Sequence, residues 1–169
     1  MCCDYRALNK QTVRNRYPLP LAVDCFDKLV KARVFSKLDL RHGYYQVWIA
    51  EGNEKKITIL TMYGSFEFLV MPFRLCNAPI IFLTLMNDVL CPYLDSFVVV
   101  YLDNIAIFSD NMEDHKKKLA SIFEALKKNQ LYLKNSKCMF TQIKILFLRH
   151  IVGQGHIQIE PSTVLVGFI

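Results

Sequence analysis

Two runs of apolar, largely β-branched residues constrain the fold of this chain more than any other feature. The first run is Phe97–Leu102 and the second is Ile105–Phe108, and only Asp103 and Asn104 separate them. Two such runs with a two-residue polar break are typical of a β-hairpin, so we predict a hairpin with its turn at Asp103-Asn104. A carboxylate at the end of so apolar a hairpin is costly unless it is paired, hydrogen-bonded or bound to a metal.

The other elements are predicted from hydrophobic periodicity and from turn residues. Helices are expected at 21–31, 80–90 and 113–129, the last capped by Asp110 or Asn111. Strands are expected at 34–40, 43–49, 131–134, 137–140, 145–152 and 157–159. A further hairpin is expected over 56–70 around Tyr63-Gly64-Ser65, and Gly153-Gln154-Gly155 is expected to form a turn. This mixture of hairpins and helices favours an α+β fold with an antiparallel sheet.

Composition narrows the class of protein. Hydrophobic residues make up 53% of the 169 residues and charged residues 21%, which excludes an intrinsically disordered chain. The net charge of +6 fits simple solubility as well as a basic surface for nucleic acid. No apolar run approaches the ~20 residues that span a bilayer, so no membrane partner is expected. The six cysteines form no C-x-x-C pair and the four histidines have no zinc-site spacing, so we expect reduced thiols and no zinc.

Two aspartates follow strongly apolar segments. Asp39 lies in the predicted strand 34–40, and Asp103 ends the first strand of the hairpin. If the two strands are neighbours in one sheet, both carboxylates can converge on a site for Mg²⁺, which prefers oxygen ligands. On the residues alone, a second interpretation stays open, in which Asp39 caps the following turn and Asp103 serves only the hairpin turn.

These residues also carry a resemblance to a known family. Tyr101-Leu102-Asp103-Asn104 resembles the Y-x-D-D box of reverse transcriptases, and Val34–Arg41 followed by Gly43–Gln46 resembles the first-aspartate motif of gypsy-type LTR retrotransposon polymerases. Matching pieces extend in order over about residues 2 to 162. They are Asp4–Lys10, Tyr17–Pro20, Tyr63-Gly64, Phe66–Phe68, Met71–Phe73, Asn77–Pro79, Ser136–Cys138, Phe147-Leu148 and His150.

The resemblance implies the α+β fold of a right-hand polymerase. Residues 1–33 would then be a partial fingers segment, 34–152 the palm, and 153–169 a truncated, divergent C-terminal tail. The thumb, connection and ribonuclease H parts of the Pol polyprotein are not expected in this chain. The implied activity is RNA-directed DNA polymerisation, with an RNA or DNA template, a primer, dNTPs and the rest of Pol as partners. The implied location is a cytoplasmic particle.

The resemblance also implies roles for individual residues. The catalytic set would be Asp39, Asp103, Asn104 and Lys137, the last as the proton donor to the leaving pyrophosphate. Two Mg²⁺ ions, or Mn²⁺, would be held by Asp39, the Leu40 carbonyl and Asp103. The nucleotide pocket would be formed by Tyr44, Phe73, Arg74, Tyr101 and Leu102, with Tyr44 as the gate against a 2′-hydroxyl. The primer grip, within 146–152, would include Leu148, Arg149 and His150. Tyr44 as a core tyrosine and Lys137 as an ordinary exposed strand lysine remain alternatives.

Three residues depart from the family pattern. Asn104 stands where the family has a second aspartate, and Arg74 and Arg149 stand where it has glycines. Asn is neutral and offers one carbonyl oxygen to a cation, although it also suits a hairpin turn. A long side chain at a glycine position obstructs the backbone, although an arginine could add a phosphate contact. One type of base transition would produce all three changes, so we hypothesise mutational decay and expect impaired activity. The alternatives are a non-catalytic nucleic-acid-binding remnant and a pseudogene product without a role.

Overall fold

The computed structural model describes residues 3–160 as a mixture of short helices and antiparallel strands. The helices are α1 Arg6–Gln11, α2 Ala22–Val30, α3 Ala78–Leu90 and α4 Met112–Lys128. The strands are β1 Val34–Leu38, β2 Ile59–Thr61, β3 Gly64–Phe66, β4 Val98–Tyr101, β5 Asn104–Ser109, β6 Met139–Gln142, β7 Ile145–Phe147, β8 His150–Gly153 and β9 His156–Ile159. Three 3₁₀ turns span Gly43–Gln46, Glu54–Ile57 and Asn135–Lys137. The predicted α+β class with antiparallel sheets is confirmed.

A four-stranded sheet in the order β4-β5-β1-β6 forms the centre of the molecule. One face carries Leu38, Ile105 and Ile107, which pack with buried side chains of α3 and α4. The opposite face carries Phe35 and Ala106, which pack with α2 and with the sheet β7-β8-β9. Because side chains alternate along a strand, apolar residues on both faces of β1 and β5 place these strands in the middle of a three-layered core.

Helix α4 illustrates how local signals set the element boundaries. The Asn111 side chain accepts a hydrogen bond from the Asp114 amide at 2.8 Å, which makes Asn111, rather than Asp110, the N-cap. The predicted apolar stripe is buried at Leu119, Ile122 and Leu126. The helices predicted at 21–31, 80–90 and 113–129 are all found within two residues of the expected bounds.

The segment 43–49 is not the strand that its sequence predicts. Gly43–Gln46 forms a 3₁₀ turn instead, and Trp48 makes only an isolated bridge with Val70. A Cβ on Gly43 would lie 2.9 Å from Cζ of Phe82, so the ring of Phe82 packs directly on the Gly43 backbone. Tertiary packing therefore overrides the local β propensity of this aromatic segment.

Three other strand predictions are corrected in their boundaries. The segment 145–152 is not one strand, since the chain reverses at Leu148-Arg149 between β7 and β8. The segment 131–134 forms an isolated bridge, between Leu133 and Leu40, rather than a strand. The strand predicted at 137–140 begins at Met139, after a 3₁₀ turn. The other two corrections concern turns. The early hairpin turns at Met62-Tyr63, so Gly64 is the first residue of β3, and Gly153 is the last residue of β8.

Two asparagines attach the N-terminal segment to the loop before α3. Asn9 donates to the Arg74 carbonyl and accepts from the Cys76 amide, both at 2.9 Å. Asn77 accepts from the Asn15 amide at 3.0 Å and donates to the Val13 carbonyl at 2.9 Å. These four bonds fix the predicted fingers segment against the loop that carries Phe73.

No helix within residues 3–160 is both long and apolar enough to cross a bilayer. The predicted strand 157–159 is found as β9, but the tail beyond Glu160 lies outside the described residues. The domain boundaries at 33/34 and 152/153 stay predictions.

Candidate active site

Strand register brings the two predicted catalytic aspartates to one edge of the central sheet. Strands β1 and β5 are antiparallel, and their last paired residues at this edge are Leu38 and Ile105. If the register continued by one residue, Asp39 would lie opposite Asn104. Directly opposed residues in an antiparallel pair have Cα atoms about 4.5–5.5 Å apart. We therefore expect Asp103, the residue before Asn104, to lie close to Asp39 as well.

The hairpin turn lies one residue earlier than predicted. Asn104 pairs with Tyr101, so the two turn residues are Leu102 and Asp103. Leu102 adopts the left-handed region with φ of 53°, and Asp103 is exposed to solvent. The side-chain amide of Asn104 donates from Nδ2 to Asp103 Oδ1 at 3.1 Å. The hairpin thus presents the Asp103 carboxylate at its tip and keeps Asn104 in the ladder.

The backbone after β1 orients a third oxygen donor. The Arg41 amide donates to the Tyr132 carbonyl and the Lys134 amide donates to the Asp39 carbonyl, each at 2.9 Å. Because successive carbonyls of an extended chain alternate in direction, we expect the Leu40 carbonyl to point to the opposite side, toward β5. We call the set Asp39, Leu40, Asp103 and Asn104 the carboxylate edge.

The donors of the carboxylate edge fit a hard divalent cation. Two carboxylates and a backbone carbonyl are oxygen ligands of the kind that Mg²⁺ and Mn²⁺ take in proteins. Within residues 3–160 there is no cluster of three or more His, Cys, Asp or Glu side chains that could hold a metal ion. The side chain of Asn104 is neutral, so the carboxylate edge contains two carboxylates, those of Asp39 and Asp103.

Tyr44 lies beside this edge in the 3₁₀ turn. Its ring contacts the rings of Phe73 and Phe82, with centroid separations of 5.7 and 5.3 Å. Burial, and after it the negative charge of Asp103, raises the pKa of the Tyr44 phenol. The contribution of the Asp103 charge to this pKa shift indicates that the phenol and the Asp103 carboxylate are near one another. Tyr44 and Phe73, two residues of the predicted nucleotide pocket, are thus in contact, and the pocket itself stays a prediction.

Arg74 follows Phe73 in a conformation that favours glycine. Its φ is 80°, in a region that L-residues rarely adopt. Phe73 is 57% exposed, and its neighbours Tyr5, Tyr45 and Phe68 line a cavity beside it together with Arg74. The departure from glycine thus falls where the backbone needs a positive φ.

The predicted primer grip shows the same feature. Leu148 and Arg149 form the two-residue turn between β7 and β8, with φ of 47° and 62°. Positive φ at both central residues defines a type I′ turn, which strongly prefers glycine at the second position. The His150 ring donates from Nδ1 to the Leu148 carbonyl at 2.8 Å. Lys37 of β1 donates from Nζ to the Leu146 carbonyl at 3.1 Å and so links this hairpin to the strand that precedes Asp39.

Lys137 is exposed in the third 3₁₀ turn, rather than in a strand as predicted. The contacts of this segment with Asp39 come from its neighbours instead. Besides the Lys134 amide bond, the Cys138 thiol lies 3.4 Å from the Asp39 nitrogen and 3.6 Å from its carbonyl oxygen. Lys134 and Cys138 are not among the predicted site residues, because no local pattern in the sequence reveals a contact with a residue so distant in the chain.

Comparison with known proteins gives consistent results. The family model described as "Reverse transcriptase (RNA-dependent DNA polymerase)" matches residues 1–152. An RNA-directed DNA polymerase homolog of Oenothera berteroana is 55% identical over 128 residues, which are 74% of this chain and 90% of that protein. A retrovirus-related Pol polyprotein from transposon 297 of Drosophila melanogaster is 38% identical over 161 residues, 95% of this chain but only 15% of the polyprotein.

Solved structures show the same fold. The foamy viral protease-reverse transcriptase dRH in complex with ds DNA superposes with a TM-score of 0.88 at 20% identity, covering 98% of this chain and 29% of that one. The same viral protein with an RNA/DNA hybrid gives a TM-score of 0.86 at 19% identity, covering 98% and 23%. At this level of identity the likeness establishes the fold alone.

Proposed function

The chain belongs to the reverse transcriptase (RNA-dependent DNA polymerase) family, and from this premise we propose that it is the catalytic core of a retrotransposon polymerase that adds dNTPs to a primer 3′-hydroxyl. The chain spans 15% of the transposon 297 polyprotein that it matches, so the remainder of such a Pol protein is a proposed partner. The observation that carries the proposal is the β1–β5 register, which pairs Leu38 with Ile105 next to the Asp103-Asn104 segment and so supports a position of Asp39 beside these two residues.

The carboxylate edge is the proposed cation site. Asp39, Asp103 and the Leu40 carbonyl would hold two Mg²⁺ ions, with Mn²⁺ as a substitute, and Asn104 would contribute at most one neutral oxygen. Two divalent cations, when bound, stabilise the attacking and leaving oxygens of an in-line phosphoryl displacement. The loss of one carboxylate weakens cation binding, and we propose that this copy is impaired for that reason.

The remaining residues bind and orient the reactants. The Tyr44 ring, fixed between Phe73 and Phe82, would exclude a ribose 2′-hydroxyl and so select dNTPs. Phe73, Arg74, Tyr101 and Leu102 would contact the incoming nucleotide. The β7–β8 turn with Leu148, Arg149 and His150 would bind the primer terminus. Lys137 would donate a proton to the leaving pyrophosphate, a role that requires its exposed side chain to reach the site.

A primer-extension assay tests the proposal. The chain would replace the matching 161-residue segment of the transposon 297 polyprotein, and poly(rA)–oligo(dT) extension would be measured with Mg²⁺ and with Mn²⁺. We expect weak incorporation that Asp39→Asn abolishes, because that variant removes a carboxylate without changing side-chain volume. Incorporation that persists in Asp39→Asn would contradict the proposed cation site.

Asn104 is the specific observation that favours a second function, namely nucleic-acid binding without catalysis. A fold with the polymerase surfaces but a weakened cation site would still bind duplex backbones, and that binding would decrease steeply with salt. Duplex binding that is lost with salt, with no incorporation even in Asn104→Asp, would favour this function over the first. We also propose a cytoplasmic, particle-associated location, which co-sedimentation of the chain with retrotransposon particles would test.

A further inference from the structure

The Gln46 side chain makes three hydrogen bonds across two separate segments. Its Nε2 donates to the Arg41 carbonyl at 2.6 Å and to the Tyr132 carbonyl at 3.0 Å. Its Oε1 accepts from the Tyr132 amide at 2.7 Å. A primary amide has two N–H donors, and both are used here. Full use of the donors on a residue that is only partly buried indicates a specific structural role.

The hydrogen bonds of Gln46 extend a short antiparallel pairing between residues 39–41 and 132–134, which fixes the backbone of Asp39 and Leu40. That pairing consists of the Leu40–Leu133 bridge with the Arg41–Tyr132 and Lys134–Asp39 backbone bonds on either side. The Gln46 amide binds both backbone groups of Tyr132, as the peptide group of a neighbouring strand would. It thereby closes the end of the pairing next to Arg41.

The same side chain connects the carboxylate edge to the nucleotide gate. Gln46 is the last residue of the 3₁₀ turn that carries Tyr44. Its bond to the Arg41 carbonyl spans the loop between Leu40 and Tyr44, and its bonds to Tyr132 anchor that loop to the segment that pairs with Leu40. The side chain therefore constrains the distance from the Leu40 carbonyl to the Tyr44 ring.

We propose that Gln46 is a positioning residue, whose amide fixes Asp39 and the Leu40 carbonyl in the geometry that binds a divalent cation. We call the three hydrogen bonds of the Gln46 side chain with Arg41 and Tyr132 the clamp. The inference rests on the proposed function for the identity of the ligand, but the clamp itself is a property of the fold. Gln46 acts through Arg41 and Tyr132 and does not itself contact the cation or the nucleotide.

The clamp is tested first by amide exchange in the full chain labelled with ¹⁵N-tyrosine, with the Tyr132 signal assigned from Tyr132→Phe. Gln46→Met keeps the length of the side chain and removes all three bonds, and Gln46→Asn keeps the amide but is one methylene too short. We expect the Tyr132 amide to exchange at least about tenfold faster in both variants. The exposed Gln158 of β9 provides the control variant Gln158→Met, which should leave the exchange unchanged. Unaltered Tyr132 exchange in folded Gln46→Met overturns the inference.

The positioning role is tested by Mn²⁺ titration followed by electron paramagnetic resonance, with thermal melting of the same samples. Partners that orient metal ligands typically change affinity 10–100-fold, so we expect Mn²⁺ to bind Gln46→Met at least about tenfold more weakly. Unchanged Mn²⁺ affinity together with faster Tyr132 exchange would make the clamp merely structural and overturn the positioning role. Asp39→Asn should lose Mn²⁺ binding while its Tyr132 exchange stays normal.

Failure of the proposed function has a different signature. An unmodified chain that binds no Mn²⁺ contradicts the cation site, and with it the positioning role. The Tyr132 exchange of Gln46→Met would still show in that case whether the clamp exists.

Discussion

The carboxylate edge and the two arginine turns, Phe73-Arg74 and Leu148-Arg149, depart from the family pattern in opposite ways. At the edge the differing residue, Asn104, has ordinary strand pairing with Tyr101. The change there is one of charge. At the turns the chemistry of the side chain matters less than the backbone, because Arg74 and Arg149 have φ of 80° and 62°.

The difference separates catalysis from stability. A charge lost from a cation site lowers ligand affinity but costs the fold little, because the neutral amide needs no cation to balance it. A side chain at a left-handed position costs the fold free energy, whatever the site binds. Restoring the family residue should therefore raise activity at the edge and stability at the turns.

The largest effect is expected from Asn104→Asp. In the polyprotein graft we expect roughly 100-fold more primer extension, because cations at developing charges contribute several kcal/mol to transition-state stabilisation and 1.36 kcal/mol is tenfold in rate. Without divalent cations the variant should be less stable than the unmodified chain, since the new carboxylate replaces the Asn104–Asp103 hydrogen bond with like-charge repulsion.

Two measurements check this prediction. Primer extension measures the gain, and thermal melting with and without Mg²⁺ measures the change in stability. Asn104→Ser, which is also neutral, is the control and should not gain activity. Equal extension by Asn104→Asp and the unmodified graft would mean that Asn104 is not the main cause of impaired activity. The arginine turns would then be the next residues to test.

A smaller effect is expected from Gly43→Ala, which introduces a steric clash in the 3₁₀ turn that carries Tyr44. The new Cβ would lie 2.9 Å from the Phe82 ring, so we expect a loss of about 1–3 kcal/mol in the free energy of unfolding. Urea denaturation provides the measurement. Adding Phe82→Leu removes the ring and should make the double variant more stable than the sum of the single losses predicts. Strict additivity would show that Phe82 is not the cause.

At the arginine turns, Arg149→Gly should stabilise the fold by about 1 kcal/mol, since a left-handed conformation costs an L-residue roughly that much. Arg149→Ala is the matched control, because alanine removes the charge and the long chain but keeps the Cβ. Alanine should give no gain, and equal gains from Gly and Ala would attribute the effect to the side chain. Arg74→Gly should gain less, since the Arg74 charge also attracts Asp4.

The turn at Leu148-Arg149 also shows why parts of the fold escaped prediction. A glycine at position 149 would have marked a hairpin, but with arginine there the segment 145–152 appears as one strand. The segment at Gly43 was misassigned for a different reason, because the Phe82 ring that enforces the 3₁₀ turn comes from a distant helix.

Prediction succeeded where the signal was local or where the resemblance supplied the long-range information. The apolar stripe and N-cap of α4 depend on neighbours in the sequence, so its bounds were found. The pairing of Asp39 with the hairpin could be suspected from two apolar strands, but only the resemblance joined them. The contacts of Gln46 with Tyr132 span 86 residues and leave no trace in either segment alone.

The smallest effect at neutral pH is expected from His115, which lies beneath both strands of the carboxylate edge. Its ring is fully buried between Ser36 of β1, 2.8 Å from Nε2, and Ser109 of β5, 2.6 Å from Nδ1. Burial, and then the charge of Lys118, lowers the pKa of His115, while Asp114 opposes this shift. The unfolded chain, with a histidine pKa near 6.5, therefore takes up this proton more readily than the folded protein does.

Stability from His115 is thus complete above about pH 6.5 and decreases as the pH falls below that value, because protonation favours the unfolded chain. Urea denaturation between pH 7.5 and 5.5 should show this loss, and His115→Gln should reduce it, whereas the exposed His156→Gln should not. Stability that stays constant over this range would contradict the prediction. Because Ser109 lies at the end of β5 opposite Asn104, protonation of His115 should weaken the scaffold at the end of the sheet away from the carboxylate edge. A loss of stability between about pH 6.5 and 5.5 that His115→Gln removes would therefore belong to the buried contact of His115 with β1 and β5.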